Sequence, residues 1–173
     1  MAALTDDMAD VIRRAGLSFV ATVCPDGTPN LSPKGSVTVL DDEHLVFADI
    51  RSPQTVANLR HNPSVEVNAV DFFRRRGYRF KGTAEILDSG PVYDQVARVL
   101  WEREGPQNPV HAVVKIRVER AEPLLSPAYV FREPVPSEDE VKEVFLRRYG
   151  VRQVGDDVAT ADSTGGTSAH NSP

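Results

Sequence analysis

The sequence predicts a mainly β protein with some helix: six or seven antiparallel strands forming a closed or split β-barrel, with short helices at its ends. Three observations lead there. Stretches of β-branched and alternating residues follow one another through tight turns, which is the connection antiparallel strands use. The element order reads helix, four strands, helix, two strands, helix, strand, rather than the regular alternation of a doubly wound fold. No G-x-G-x-x-G fingerprint occurs.

The elements follow in order. Thr5 is placed to cap a first helix whose apolar face is Met8, Val11, Ile12 and Ala15, and Gly16 ends it. Leu17–Val23 alternates as a strand, Pro25-Asp26-Gly27 supplies a hairpin turn, and Pro29–Ser36 returns as a second strand broken at Pro33 and Gly35. Val37–Leu40 stays extended, Asp41-Asp42 turns, and His44–Asp49 is the next strand. Ser52 in the N-cap position and Pro53 at the first helical position open a second helix, closed by Asn62-Pro63. Ser64–Val70 alternates with Val65, Val67 and Ala69 on one face, and Gly77–Leu87 is a long strand with a bend or bulge near Gly82. Asp88–Pro91 starts a third helix with Val92, Val96, Val99 and Leu100 inward, and Val110–Glu119 is a last long strand. Ala121–Pro136, with four prolines, reads as an extended arm; Ser137 and Glu140 then form a capping-box pattern opening a helix to about Tyr149. Residues 1–150 therefore make one domain with its C-terminal arm and helix. Residues 151–173 are expected to be a disordered tail, and the chain after Gly155, which lacks core-forming residues, to be dispensable.

Composition narrows the function classes. A formal net charge of −5 argues against a nucleic-acid partner. No apolar run is long enough to span a bilayer, and the acidic N-terminus lacks a signal-peptide core, so no membrane role is expected. The single cysteine, Cys24, makes no internal disulfide, and a cytoplasmic location is the default. His44, His61, His111 and His170 show no metal-ligand spacing.

The most informative stretch runs from Phe47 to Pro63. A helix N-terminus beside Arg51, Ser52, Gln54 and Thr55 is suited to an anion, because free backbone N–H groups and the helix dipole both favour negative charge. The same residues also suit an ordinary capped helix.

Taken together, Phe19–Val23, Pro33–Ser36, Leu45–Asp49, Ser52–Leu59, Asn62-Pro63 and Arg79–Gly82 resemble the pyridoxamine 5′-phosphate oxidase-related FMN-binding split barrels, over about Leu17 to Glu119. The resemblance implies a six-stranded split barrel and a homodimer holding two FMN molecules between its subunits. It implies a cofactor site drawn from Lys34, Gly35, Ser36, Ala48, Asp49, Ile50, Arg51, Ser52, Gln54, Thr55 and Arg79, with the phosphate near Ser52–Thr55. The vitamin B6 oxidase itself carries an Arg-Lys pair in the phosphate turn, where Gln54 and Thr55 stand here, and a C-terminal Arg-Leu-x-Pro-x-Arg segment without counterpart in this chain. Pyridoxamine phosphate is therefore not the implied substrate; the flavin cleft is what carries over.

Within that cleft, Gly35 leaves room for a flat ring, and Lys34 either charges the ring's pyrimidine edge or is a solvated edge-strand lysine. Ser36 either hydrogen-bonds the ring or is a plain strand serine; Asp49 and Ile50 would pass the ribityl chain. Arg79 and Lys81 either reach the phosphate from one subunit or the other, or form an exposed strand face. Trp101 covers the ring or fills a core or interface. Arg74–Arg76 is a solvated loop, or it receives an anionic substrate or the acidic tail of a deazaflavin. Three functions stay open: an FMN-dependent oxidoreductase with a small-molecule electron donor or acceptor, a flavin storage or sensor module, and a deazaflavin (F420)-dependent reductase. A homodimer is expected, with Val65, Val67 and Ala69 as its candidate contact.

Overall fold

The computed structural model describes residues 3–152, so the expected C-terminal tail after Gly155 lies outside the described residues. The elements are α1 (Asp6–Ala15), β1 (Ser18–Val23), β2 (Pro29–Lys34), β3 (Thr38–Val39), β4 (His44–Asp49), α2 (Pro53–His61), β5 (Ser64–Asp71), β6 (Arg76–Leu87), α3 (Pro91–Glu104), β7 (Ala112–Leu125), α4 (Ala128–Phe131) and α5 (Glu138–Tyr149). All strand pairs are antiparallel, in the single order β2-β1-β5-β6-β7-β4-β3.

That order forces curvature. The two edge strands, β2 and β3, are consecutive in sequence and separated only by Gly35, Ser36 and Val37. A flat sheet of this many strands would hold its edges roughly 29 Å apart, at about 4.8 Å per spacing. The four Cα steps from Lys34 to Thr38 reach at most about 14 Å. The sheet therefore curls until its edges approach, and the Gly35–Val37 link crosses the split. Ser36 staples it: its hydroxyl accepts from the Ala48 N–H at 3.1 Å and donates to the Ala48 carbonyl at 3.3 Å.

The concave face holds the core: Val20, Leu45, Phe47, Val67, Phe80, Val114, Ile116 and Val118 are fully buried. Residues 45–49 and 112–114 are buried on both faces; α3 packs over β4 and β7 on the outer side. Of the inner face expected for α3, Leu100 is buried and Val92 and Val96 are half-buried, whereas Val99 is 53% exposed and Ala97 is buried instead. The β6–β7 ladder shifts register between Lys81 and Gly82, at the expected bulge. A Cβ at Gly82 would lie 2.0 Å from the Arg117 carbonyl oxygen, so only glycine fits that crossing.

Several expectations hold locally. Thr5 Oγ1 accepts from Met8 N–H at 3.3 Å, Gly16 ends α1 with a left-handed φ of 62°, and the reciprocal Ser137–Glu140 capping box opens α5. Three do not. Val65, Val67 and Ala69 are 6%, 0% and 0% exposed, so that face of β5 is core and is not available as a dimer contact. The last strand runs to Leu125 and absorbs the first part of the supposed arm, because the Arg76–Lys81 half of β6 pairs with Arg120–Leu125. Arg74–Arg76 is not a solvated loop. Arg74 meets Asp71, Glu138 and Asp139, Arg76 meets Asp7 and Glu138, and the Arg75 guanidinium lies 4.9 Å from the Phe145 ring centroid. These arginines dock α5 and α1 onto the β5–β6 hairpin.

No helix among the described residues is long and apolar enough to cross a membrane.

Candidate functional site

The split in the sheet opens into a cleft of about 400 Å³. The end of β2 brings Ser32, Pro33 and Lys34 to it; the crossing link brings Gly35 and Ser36; the end of β4 brings Ala48; the following turn brings Ile50, Arg51 and Ser52; the last turn of α3 brings Glu104. Seven residues singled out from sequence thus converge: Lys34, Gly35, Ser36, Ala48, Ile50, Arg51 and Ser52. A larger neighbouring groove of about 610 Å³ shares Lys34, Gly35 and Glu104 and runs toward α1 and β3. The smaller cleft holds the chemistry-bearing turn.

Lys34 is 7% exposed, which removes the solvated edge-lysine alternative. Its ammonium donates to Ser32 Oγ and to the Pro33 carbonyl at 3.3 Å, and lies 5.8 Å from the Phe47 ring centroid. Burial pushes it below the ordinary lysine range, and the negative charge of Asp49 opposes that push. Arg51 is exposed and forms no ion pair among the described residues. At Gly35 an added Cβ would meet only the Gly16 carbonyl oxygen, at 3.7 Å, and the backbone is not left-handed. Neither packing nor backbone strain within the chain requires glycine there; its effect is to keep the cleft floor open.

Ser52 occupies the N-cap position of α2 but makes no side-chain cap. Its hydroxyl and its N–H both donate to Asp49 Oδ1, at 2.7 and 2.8 Å. The carboxylate three residues before Ser52 outcompetes the helix amide groups for the hydroxyl. Pro53 has no N–H and Val56 N–H reaches the Ser52 carbonyl, so the N–H groups of Gln54 and Thr55 are left without intrahelical acceptors.

Other expected site residues are placed elsewhere. Asp49 is 4% exposed and lines a second groove beyond the turn, with Arg60 and His111. The Gln54 amide donates to Asn58 Oδ1 at 2.7 Å, and the Thr55 side chain is 1% exposed. Arg79 and Lys81 lie across the sheet, both paired with Glu66, at 2.9 and 3.3 Å. Trp101 lines none of these clefts; its indole N–H donates to the Asn108 carbonyl at 2.9 Å. Glu104 was not foreseen. Its place beside Lys34 depends on how α3 crosses the barrel, which no local pattern encodes. Arg103 pairs with it and also donates to the Gly35 carbonyl at 3.3 Å.

Comparison with known proteins adds kinship to this geometry. The HupZ protein of Group A Streptococcus is 37% identical, with a TM-score of 0.65 over 71% of this chain and 95% of that one. A Lactobacillus delbrueckii protein described as a pyridoxamine 5′-phosphate oxidase is 28% identical, with a TM-score of 0.58 over 70% and 95%. An uncharacterised protein of Methanocaldococcus jannaschii is 30% identical over 65% of this chain and 76% of its own. At lower identity, an FMN-binding protein of Syntrophomonas wolfei (15%, TM-score 0.60, covering 68% and 84%) and an F420 reductase (22%, TM-score 0.54, covering 69% and 98%) share the fold. A family model described as pyridoxamine 5′-phosphate oxidase matches residues 4–124, from the approach to α1 to the end of β7. The chain, with the curled sheet and split that this match covers, belongs to the pyridoxamine 5′-phosphate oxidase family.

Proposed function

We propose that the protein binds FMN in the cleft at the sheet split and acts as a flavin-dependent oxidoreductase. The observation that carries this reading is the meeting of a buried cation, Lys34, with the open floor at Gly35 and the uncommitted Arg51 in one cleft. The volume is in the range of small-molecule sites. Lys34 offers positive charge to an electron-rich ring edge. Arg51, with the N–H groups of Gln54 and Thr55 at the start of α2, offers a place for a phosphate. Thr55 would contribute through its backbone, since its side chain is buried. FMN, when bound, supplies the electron-transfer chemistry; the chain binds it, orients it and sets the charge around it.

The deazaflavin reading has less support. It drew on Arg74–Arg76 to receive an acidic tail, and Arg74 and Arg76 are engaged by Asp7, Asp71, Glu138 and Asp139.

We further propose that the working unit is a homodimer, paired through the outer face of β1 and β2. Phe19 and Leu31 are 43% and 65% exposed there, with Leu17 beside them at 47%. Phe19 stands opposite Pro33 of the cleft wall on one side and Asn68 on the other, and the buried Asn68 Oδ1 has no hydrogen-bond partner among the described residues. A two-fold pairing would cover this face on both copies.

The test is the absorption spectrum of the purified protein, with mass spectrometry of whatever is released on denaturation. Flavin absorption together with the mass of FMN supports the reading; a deazaflavin mass overturns the cofactor assignment.

A further inference from the structure

The larger groove beside the flavin cleft, about 610 Å³, lies between α1, β3 and the end of α3. Three cations line it, Arg13, Lys34 and Arg103, against one carboxylate, Glu104, in a chain whose formal net charge is −5. The cations keep donors in reserve. Arg13 is exposed and spends one nitrogen, Nη2, on Asp10 at 2.6 Å. Arg103 spends Nε and Nη2 on Glu104 and the Gly35 carbonyl, and its Nη1 has no hydrogen-bond partner among the described residues. Lys34 donates to Ser32 and Pro33, two bonds from a group with three N–H donors. Ser18 also lines the groove; it is 2% exposed, and its hydroxyl has no hydrogen-bond partner among the described residues. Apolar surface adjoins these groups: Ile12 is buried, and Val37 and Val39 are half-buried. Unspent donors beside an apolar wall suit a small molecule with an anionic oxygen group and an apolar body.

We propose that this groove is a second binding site, separate from the flavin cleft, for a small organic oxyanion, either a carboxylate or a phosphate ester. Arg13 and Arg103 receive the charged group, and Val37 and Val39 flank the apolar part. Lys34 and Gly35 belong to both cavities, so the groove meets the cleft at those two residues. A flavin-dependent oxidoreductase needs a place for a second small molecule beside the ring, and the groove supplies one. That adjacency rests on the flavin reading; anion binding by Arg13 and Arg103 does not.

The experiment is a calorimetric titration of benzoate, phenyl phosphate and uncharged benzyl alcohol, at constant ionic strength, into wild type, Arg13→Glu, Arg103→Gln and Arg147→Glu. Arg147 is exposed on α5, does not line the groove, and controls for net charge. At least one anion should bind wild type about tenfold tighter than the alcohol, and the tighter of the two names the ligand class. Arg13→Glu and Arg103→Gln should each weaken that anion by about three- to tenfold, the lower figure reflecting solvent screening; Arg147→Glu should not. Anions bound no tighter than the alcohol, or an equal loss in Arg147→Glu and Arg13→Glu, overturn the site. Should Arg103→Gln fail to fold because it frees the Gly35 carbonyl, the exposed Arg13→Glu decides. In the FMN-loaded protein the same anion should shift the flavin absorption spectrum and leave FMN affinity unchanged. Displacement of FMN by the anion would place it in the cleft and overturn the second site; binding without a spectral shift overturns the adjacency. If wild type binds no FMN, the flavin reading and the adjacency fail together, and Arg13-dependent anion binding still supports the groove as a site.

Discussion

Tyr78 Oη donates to Asp7 Oδ2 at 2.6 Å, tying the first turn of α1 to the middle of the sheet across 71 positions of sequence. Arg76 donates to the same Asp7 oxygen and reaches Glu138 on α5. One carboxylate thus joins the N-terminal helix, the β5–β6 hairpin and, through Arg76, the C-terminal helix. The Tyr78 hydrogen bond, and then the Arg76 hydrogen bond and charge, hold the Asp7 carboxyl below its usual range against the opposing effect of burial.

The sign of the pH dependence follows. A carboxyl with a depressed folded-state pKa contributes stability that is complete above its unfolded value, 3.8, and is lost as pH falls through the folded value. Tyr78→Phe removes the largest cause of the depression. Its acid unfolding midpoint, followed by circular dichroism, should lie at higher pH than that of wild type. The effect is small because the carboxylate is half exposed and screened.

Arg76 is the more costly residue to remove. Its side chain is 17% exposed, and burial alone would lower its pKa; hydrogen bonds to Glu138 and Asp7 outweigh that and raise it. Arg76→Ala leaves both carboxylates without this partner and should cost about 1–3 kcal/mol in urea unfolding. FMN affinity should change little, because this cluster is not in the cleft. A large loss of affinity with unchanged stability would mean that the arginines serve a ligand.

Gly35→Ala separates fold from function. The site has room for a Cβ and no left-handed backbone, so stability should be unchanged or higher by about 0.4–1 kcal/mol. FMN affinity should drop by roughly tenfold or more, about 1.4 kcal/mol, if a ring lies against that backbone. Unaltered affinity would place the ring elsewhere.

Phe19→Asp and Leu31→Asp each put a charge on the exposed face of β1 and β2. Light scattering should show a dimer for wild type and a monomer for at least one of the two variants, with the melting temperature of the monomer lowered. A wild-type protein that is monomeric at micromolar concentration removes the dimer proposal.

Local chemistry was legible in the sequence wherever one short segment decides the outcome. Thr5 with Met8, Gly16, the Pro25–Gly27 turn and the Ser137–Glu140 box each depend on neighbours within a few residues, and each forms as read. The Gly82 bulge was visible because a glycine in a long strand signals close backbone approach. Most of what failed depends on distant partners; Ser52 is the exception, since it reads as a cap although Asp49, three residues earlier, competes for its hydroxyl. Val65, Val67 and Ala69 show an apolar face, but alternation does not say whether that face meets the core or another copy. Arg74–Arg76 reads as a repelling charge run because its acidic partners lie as far away as Asp7 and Glu138. In the cleft, the link residues and the 50–52 turn were legible, while Glu104 arrives only through the packing of α3.

The central claim is tested most directly by titrating FMN and riboflavin, each followed by fluorescence quenching, into cofactor-free wild type and Arg51→Ala. Wild type should bind FMN with a dissociation constant of about 1 μM or tighter. Arg51→Ala should lose roughly tenfold or more for FMN, the worth of about one charge-assisted hydrogen bond, while riboflavin, which lacks the phosphate, binds both proteins alike. Failure of wild type to bind either flavin, or an equal loss of both in Arg51→Ala, would contradict the account.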